Sequence, residues 1–367
     1  MQQNPATPQK KRLKKVLIMA GGTGGHVFPG IALAQAFAKQ GVQTHWLGTE
    51  KGLEKVWVEQ AGLAFSAIAI QGLRGNGLKG WLLAPLKISQ AWWQARQVIK
   101  QVKPDMVIGM GGFVCGPGGL AAWSKGIKLY LHEQNAIAGL TNRLLAGFAQ
   151  RIFCGFPPSN LKSPRLLVMG NPVRAEIEAI PAITKNQLSP PNQRQLLVIG
   201  GSRGARALNQ TLPQALALIP ADQRPRVVHQ TGQQDLELTK KAYQALGVDA
   251  EVKPFIMDMA AAYQQAHLVV ARAGALTVSE LMAAARPAIL VPFPYAVDDH
   301  QTANAHFMAE VGAASVVQQS VLTAEGLAAS ILEELAEDRL ISASETLAKI
   351  AKLDAANQIV EHIMEGY

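Results

Sequence analysis

Along the chain, short and nearly unbroken apolar runs alternate with longer stretches in which apolar residues recur every three or four positions. The runs KKVLIMA, QTHWLGT, KLYL, RQLLVIG, HLVVA and AILVPF read as strands buried on both faces, and the stretches between them as helices that cover those faces. Strand and helix in alternation predict an α/β fold with parallel sheets. Two of the units begin alike. KKVLIMAGGTGGH and RQLLVIGGSRGAR each run from a strand into a glycine-rich turn; a helix over residues 31–39, stopped by Gly41, follows the first, and one over residues 207–218, stopped by Pro220, follows the second. Two such beginnings, about a domain apart, predict two Rossmann-like domains facing each other across a cleft. The junction falls at residues 170–174, where Pro172 stiffens the chain. This gives a flexible basic leader, 1–13, then domains over 14–173 and 174–367, with a last helix at about 350–367 placed to pack back on the first domain.

At 367 residues, 49% hydrophobic and 17% charged, the composition suits a compactly folded chain of two domains and excludes a disordered one. Two cysteines, Cys115 and Cys154, supply neither a disulfide framework nor a multi-cysteine metal site, and they point to a reducing, cytosolic setting. The uncharged stretch 106–123 has the length of a membrane span, but six glycines and a proline interrupt it, so it reads as strand, glycine loop and helix start. No membrane span and no signal peptide is expected. The net charge of +9 is unevenly placed: residues 1–173 hold 20 Lys and Arg against 5 Asp and Glu, and residues 174–367 hold 15 against 21. Such segregation predicts that the first half faces an anionic partner.

A strand, a glycine turn and a helix start together offer bare backbone N–H groups to a phosphate, although a single such turn is equally compatible with no ligand. Neither copy keeps the G-x-G-x-x-G spacing, and only Glu50, just past QTHWLGT, lies near the place of a ribose-binding acid, which weighs against NAD. Four further segments fall at predicted strand ends: GMGGFVCGPGG from Gly109, HEQN from His132, ARAGALTVSE from Ala271 and DDHQTAN from Asp298. In the third, the N–H groups of Leu276 and Thr277 are free to hold a phosphate. Glu280 either bonds backbone in a Thr277-x-x-Glu280 capping box or accepts ribose hydroxyls, and spacing leaves both open. His26, between the first glycine loop and its helix, is a candidate general base or anion donor, or a turn-stabilising residue. His132 and Glu133 are adjacent on extended chain, point to opposite faces and make a poor dyad. With no D-x-D and no H-x-x-x-H, no built-in metal site is expected.

The segments GGTGGHVFPGIALA, GMGGFVCGPGGLAAW, HEQNAIAGLTNR, GNPVR, GGSRGARALNQ, HQTG, FIMDMAAAY, RAGALTVSEL and VPFPYAVDDHQTANA, in that order, resemble the MurG family. These are bacterial transferases that add N-acetylglucosamine to a lipid-linked muramyl-pentapeptide in peptidoglycan synthesis. The resemblance covers essentially the chain after its first dozen residues. It implies a GT-B fold, an inverting UDP-GlcNAc-dependent transfer, and a donor lying mostly on the second domain. Ile256 would offer backbone groups to uracil and Glu280 would bind ribose. Ser202 and the turn of Ala275, Leu276 and Thr277, with Val278 and Ser279 behind it, would meet the diphosphate, and Arg174 would add positive charge. Gln301 and Asn304 would read sugar hydroxyls. From the first domain, Thr23, Gly24, Gly25 and Asn135 would close on the donor, and the acceptor's diphosphate would lie by Gly21, Gly22, Gly111 and Gly112. His26 becomes the candidate base for the acceptor's 4-hydroxyl. No tightly bound cofactor is implied, a divalent cation at most assisting. The implied place is the cytoplasmic face of the plasma (inner) membrane, as a peripheral protein, with other cell-wall synthesis or division proteins as further partners. One departure is Arg203, where the family's GGSQG pattern has Gln.

Docking on a membrane has its own signal. No Asp or Glu occurs between Glu59 and Asp105, while Arg74, Lys79, Lys87, Arg96, Lys100 and Lys103 do, interleaved with Leu78, Trp81, Leu82, Leu83, Leu86, Trp92 and Trp93. Basic residues among Trp and Leu suit a surface that inserts shallowly among anionic phospholipid headgroups, with Arg74, Leu78, Lys79, Trp81, Leu82 and Lys87 as the docking residues. The competing reading is that much of this apolar set is core; Trp92 and Trp93, being adjacent, cannot both face lipid. A nucleic-acid partner is not expected, since it accounts for the charge but for neither the glycine loops nor the cleft. Another GT-B transferase, a UDP-sugar 2-epimerase and a non-catalytic UDP-sugar sensor stand as alternatives.

Overall fold

A computed structural model describes residues 12–50, 52, 54–70, 77–188, 190–201 and 204–367, with the side chains of 77–83 and 187 outside the description. The expected leader therefore lies outside the described residues as far as residue 11. Among those described, a seven-stranded sheet is built from β1 (Lys15–Ala20), β2 (Gln43–Thr49), β3 (Ala64–Ile68), β4 (Met106–Gly111), β5 (Lys128–Glu133), β6 (Arg151–Cys154) and β7 (Leu166–Val168). A six-stranded sheet follows from β8 (Gln195–Ile199), β9 (Arg226–Gln230), β10 (Glu251–Lys253), β11 (Leu268–Ala271), β12 (Ala288–Leu290) and β13 (Ala314–Val316). Every pairing is parallel, and the orders β3-β2-β1-β4-β5-β6-β7 and β10-β9-β8-β11-β12-β13 are the same doubly wound pattern twice. The apolar runs are strands for the reason expected: β4 and β8 are buried almost throughout, between helices on both faces.

Helices α1 (Gly24–Lys39), α2 (Glu54–Gln60), α3 (Gly77–Val102), α4 (Cys115–Trp123) and α5 (Leu140–Leu145) serve the first sheet. The second has α6 (Ala175–Glu178), α7 (Arg206–Leu218), α8 (Leu236–Ala245), α9 (Met259–Gln265), α10 (Ala275–Ala283), α11 (His300–Ala309), α12 (Ala324–Glu334) and α13 (Glu337–Ile350). The final helix, α14 (Ala355–Glu365), leaves that sheet and buries Ile359, Val360 and Ile363 with Val27, Phe37 and Phe153 of the first. Tyr367 just beyond donates its hydroxyl to Asp105 O at 3.2 Å, and Lys128 Nζ stands 4.4 Å from its ring centre. No helix of the described residues is long and apolar enough to cross a membrane.

The first helix departs from expectation. It begins at Gly24, not near residue 31, with Thr23 extended (φ −100°, ψ 159°) at its N-cap. Glycines placed after such a cap enter the helix at once when the residues beyond them have a core to fill. Val27, Pro29 and Leu33 do. The buried Trp46 ring of β2 fixes how close α1 approaches the sheet, because a Cβ on Gly30 would stand 2.6 Å from it. The indole N–H donates to Ala20 O at 3.1 Å, at the edge of the first glycine loop.

Candidate active site

Both sheets change strand order between their first and fourth strands, and the carboxyl ends there open onto the space between the halves. In the first half, two glycine loops lie against each other at this point. Gly22 (φ +98°), Gly111 (φ +112°) and Gly112 (φ +85°) are left-handed, and a Cβ on Gly112 would collide with Gly21 O. The register of β4 on β1 slips between Met19 and Ala20, which brings Gly111 opposite Ala20. Cys115, at the start of α4, ties the loops together. Its Sγ accepts from Gly111 N at 3.2 Å and shares its one proton between Met19 O and Gly111 O, both at 3.1 Å. Burial pushes that thiol up to about 12. Sequence reading had given Cys115 no part in the site.

His26 is therefore the third residue of α1, not a residue ahead of it. Its imidazole lies over Gly111, where a Cβ would stand 2.6 Å from its Cδ2, and its Nδ1 is buried without a partner. Burial lowers its pKa to about 4, with His300 from the other half acting in the same direction and Glu54 partly offsetting both. The ring is neutral at pH 7. His132 is neutral for the same reason, its pKa lowered to about 4, and it is fully engaged: Nε2–H donates to Gly170 O at 3.2 Å and Nδ1 accepts from Gln134 Nε2 at 3.1 Å. Glu133 turns the other way, accepting from Asn135 N at 3.0 Å, Gly139 N at 3.0 Å and Asn142 Nδ2 at 2.8 Å. It shapes the loop that carries Asn135 and, as its opposite orientation required, makes no dyad with His132.

In the second half, α10 starts at Gly274 as N-cap with no side-chain cap, so the first-turn N–H groups of Ala275, Leu276 and Thr277 have no intrahelical acceptor. Thr277 is the third residue of this helix and Glu280 the sixth, which removes the capping box. The Glu280 carboxylate accepts instead from Arg174 Nη2 and from the Tyr263 hydroxyl, each at 3.1 Å. Burial raises its pKa, against the pull of Arg174 and Tyr263. Arg174, expected to add positive charge at a diphosphate, is paired here with the Glu280 carboxylate. Tyr263 on α9 was missed by sequence reading, which had no means to see a contact between two helices. Ile256 is buried between exposed Phe255 and Met257, beside a cavity of about 310 Å³ lined by Arg174, Glu176, Ile177, Met257, Asp258, Met259 and Ala260.

Three expected donor contacts need correction. Asn304 has no exposure, and its amide is spent: Nδ2 donates to Ala273 O at 3.1 Å and Asn135 Oδ1 at 3.2 Å, while Oδ1 accepts from Ala136 N at 2.8 Å. It is a bolt between the halves, with both Nδ2 hydrogens engaged. Val278 is wholly buried and gives its N–H to Gly274 O at 2.9 Å. Ser279 accepts from Asn171 Nδ2 at 2.8 Å, a second tie across the junction. Gln301 is better placed, in the first turn of α11, with Oε1 held by Phe293 N at 2.9 Å and its NH2 directed elsewhere. That turn follows two left-handed aspartates, Asp298 (φ 54°) and Asp299 (φ 52°), a strained entry that aims His300 and Gln301. Ser202 and Arg203 lie outside the described residues. Among the described residues, no group of three or more His, Cys, Asp or Glu is placed to hold a metal ion.

Of the expected docking residues, Arg74 lies outside the described residues, as do the side chains of Leu78, Lys79, Trp81 and Leu82; Lys87 is exposed on α3. Further along α3, Trp92 turns inward with Arg96 4.8 Å from its ring centre, and Trp93 is 58% exposed. Helices α4 and α5, with the turn after α5, continue this face with exposed Trp123, Leu140, Leu144 and Phe148. A groove of about 510 Å³ on it is lined by Trp92, Trp93, Arg96, Gln97, Lys100 and Lys125.

Residues 16–154 match the glycosyltransferase family 28 N-terminal domain, and residues 195–360 the glycosyltransferase family 28 C-terminal domain. The chain is 56% identical over 96% of its length to a protein of Hydrogenovibrio crunogenus, 98% of which is covered. It is 49% identical over 97% of its length to one of Chromohalobacter salexigens, again covering 98%. Both are named UDP-N-acetylglucosamine–N-acetylmuramyl-(pentapeptide) pyrophosphoryl-undecaprenol N-acetylglucosamine transferase. A crystal structure of Acinetobacter baumannii MurG superposes with a TM-score of 0.82 at 39% identity, over 96% of this chain and 99% of that one.

Proposed function

The chain belongs to glycosyltransferase family 28, among the UDP-N-acetylglucosamine–N-acetylmuramyl-(pentapeptide) pyrophosphoryl-undecaprenol N-acetylglucosamine transferases, and on that premise we propose how its residues divide the work. It is a hexosyltransferase of peptidoglycan synthesis that moves N-acetylglucosamine from UDP-N-acetylglucosamine to the lipid-linked muramyl-pentapeptide. In this reading the donor lies against the second half. Glu280, aimed by Arg174 and Tyr263, accepts the ribose hydroxyls, with uracil at the backbone of Ile256. The free N–H groups of Ala275, Leu276 and Thr277 receive the diphosphate on the positive end of α10, and Gln301 reads the sugar. The acceptor's diphosphate lies at the glycine loops of Gly21, Gly22, Gly111 and Gly112, with Thr23, Gly24, Gly25 and Asn135 closing on the donor.

His26 is the base. As the acceptor's 4-hydroxyl oxygen attacks the anomeric carbon, its proton passes to the imidazole. The bond from that carbon to the β-phosphate oxygen breaks with its electron pair, and UDP leaves against the N–H groups of α10. Attack opposite the leaving group turns an α-linked donor into a β-linked product through an oxocarbenium-like state. This reading assigns no role to a protein-held metal. The observation that carries it is the neutral, partly unpartnered imidazole of His26 over Gly111, opposed by His300 of the other half. His26→Ala is expected to lower kcat by about 10²- to 10⁴-fold, the range of a general base, with UDP-N-acetylglucosamine binding retained. Near-normal turnover at saturating substrates would assign the base elsewhere.

The acceptor's undecaprenol tail stays in a bilayer, and the basic, aromatic face of α3, α4 and α5 is the docking surface for anionic phospholipid. Exposed Trp93, Trp123, Leu140 and Leu144 supply the inserting groups, and Lys87, Arg96, Lys100 and Lys125 the charge.

A further inference from the structure

Among the buried acids that the mechanism above leaves without a use, one lies beneath the loop that carries its base. Glu54, the first residue of α2, has no exposure, a setting in which a carboxylate is rarely left short of partners. Its Oε1 accepts from Thr49 N at 2.9 Å and Thr49 Oγ1 at 2.5 Å, while Oε2 is buried and makes no hydrogen bond. The carboxylate sits beneath the first glycine loop: a Cβ on Gly21 would stand 3.1 Å from Oε1, and one on Gly52 would overlap the group itself. Helix α2 packs on the start of α1 through the Phe28 and Trp57 rings, whose centres are 5.2 Å apart. Glu54, one turn before Trp57, therefore faces the turn that carries His26. His26 has the matching deficit, an Nδ1 buried without a partner. Of the ionisable groups that act on the imidazole, His300 on α11 opposes its protonation and Glu54 favours it, and His26 in turn opposes protonation of His132 on β5.

We propose that Glu54 is the positioning residue for His26, orienting the imidazole and stabilising the imidazolium that forms when the acceptor hydroxyl gives up its proton. Its role is to set negative charge beside a buried base at the moment that base becomes a cation. This rests on the reading of His26 as base. The fold does not require the charge. Both bonds from Thr49 go to Oε1, and the amide oxygen of Gln accepts them equally well.

The test is kcat against pH for the wild type, Glu54→Gln, His26→Ala and the double variant, with full-length protein, UDP-N-acetylglucosamine and a short-chain lipid-linked acceptor. Glu54→Gln is expected to lower kcat about 10- to 100-fold with the donor KM unchanged, the loss typical of a partner that orients a reacting group. Its acid limb moves to lower pH, because removing a negative charge makes His26 harder to protonate. In the His26→Ala background the same change costs nothing further. Wild-type kcat with an unmoved limb, or an equal loss in both backgrounds, overturns the proposal and leaves Glu54 a brace for Thr49. Near-normal turnover of His26→Ala alone overturns the base reading first, so the two failures are distinct. Should Glu54→Gln unfold, Glu54→Asp decides, because it withdraws the carboxylate by one methylene: a lowered kcat with the limb moved to lower pH supports the role, and wild-type kcat with an unmoved limb refutes it.

Discussion

Glu280 shows what one residue reveals only in three dimensions. Along the chain its distance from Thr277 fits a helix cap and a ligand contact equally, and the choice turns on where α10 begins. With Gly274 as the cap, the carboxylate is too far into the helix to reach the first N–H groups and is drawn instead to Tyr263 and Arg174. Glu280→Gln should raise the KM for UDP-N-acetylglucosamine by about 10- to 100-fold, since charge-assisted bonds are worth roughly 1.5–3 kcal/mol each, with a smaller effect on kcat. Steady-state kinetics with the donor varied measure this, and an unchanged KM would remove Glu280 from the ribose. Asn304 is the converse case. The resemblance implied sugar recognition for it, and nothing local reveals that Ala136 and Asn135, on a loop of the other half, take up its amide. Cys115 was equally opaque, because its role depends on two strand ends meeting at one sulfur.

At the level of elements, the apolar runs were legible because strands buried on both faces need unbroken hydrophobicity, and glycine marked the turns that follow them. Helix starts were less so. Gly24 and Gly25 have poor helix propensity and read as loop, yet burial of Val27 and Leu33 outweighs that cost of about 1 kcal/mol per glycine. The proposed docking face was read from residues 74–103 alone. Its continuation through Trp123, Leu140 and Leu144 is assembled by packing of α4 on α3 and α5 on α4, which no window of sequence contains. Replacing Trp93, Trp123 and Leu144 together with Ser should release the protein from vesicles containing anionic phospholipid while leaving UDP-N-acetylglucosamine binding intact. Raising salt should weaken the wild type on the same vesicles. Undiminished co-sedimentation of the triple variant would place docking elsewhere.

Across the whole molecule, the two alike beginnings anticipated the repeated strand order and the last helix was expected to return to the first domain, while the side-chain ties of the seam that joins the halves were not legible. That seam runs through Asn171 to Ser279, Asn304 to Asn135 and Ala136, and the return of α14 onto α1. His132 stands beside it, bonded to Gly170 O, and shares with His26 and His229 a pKa lowered by burial, to about 4, 4 and 3 respectively. Their sign is clear. The unfolded chain binds protons near the ordinary histidine value of about 6.5 and the folded chain only well below it, so stability falls as pH drops beneath that value. Each group contributes about 1.4 kcal/mol per pH unit over the window between its two values. Thermal melts from about pH 7.5 down to 5 should show a Tm that begins to fall near the ordinary histidine value of about 6.5 and keeps falling below it; a flat profile would mean that these rings protonate without cost in the fold.

The most direct measurement is UDP release from labelled UDP-N-acetylglucosamine, with and without a short-chain polyprenyl-diphosphate-linked muramyl-peptide. Release only with the acceptor, matched by label appearing on the lipid, is the predicted result. Donor epimerised without acceptor, or donor bound and never released in its presence, would contradict the account.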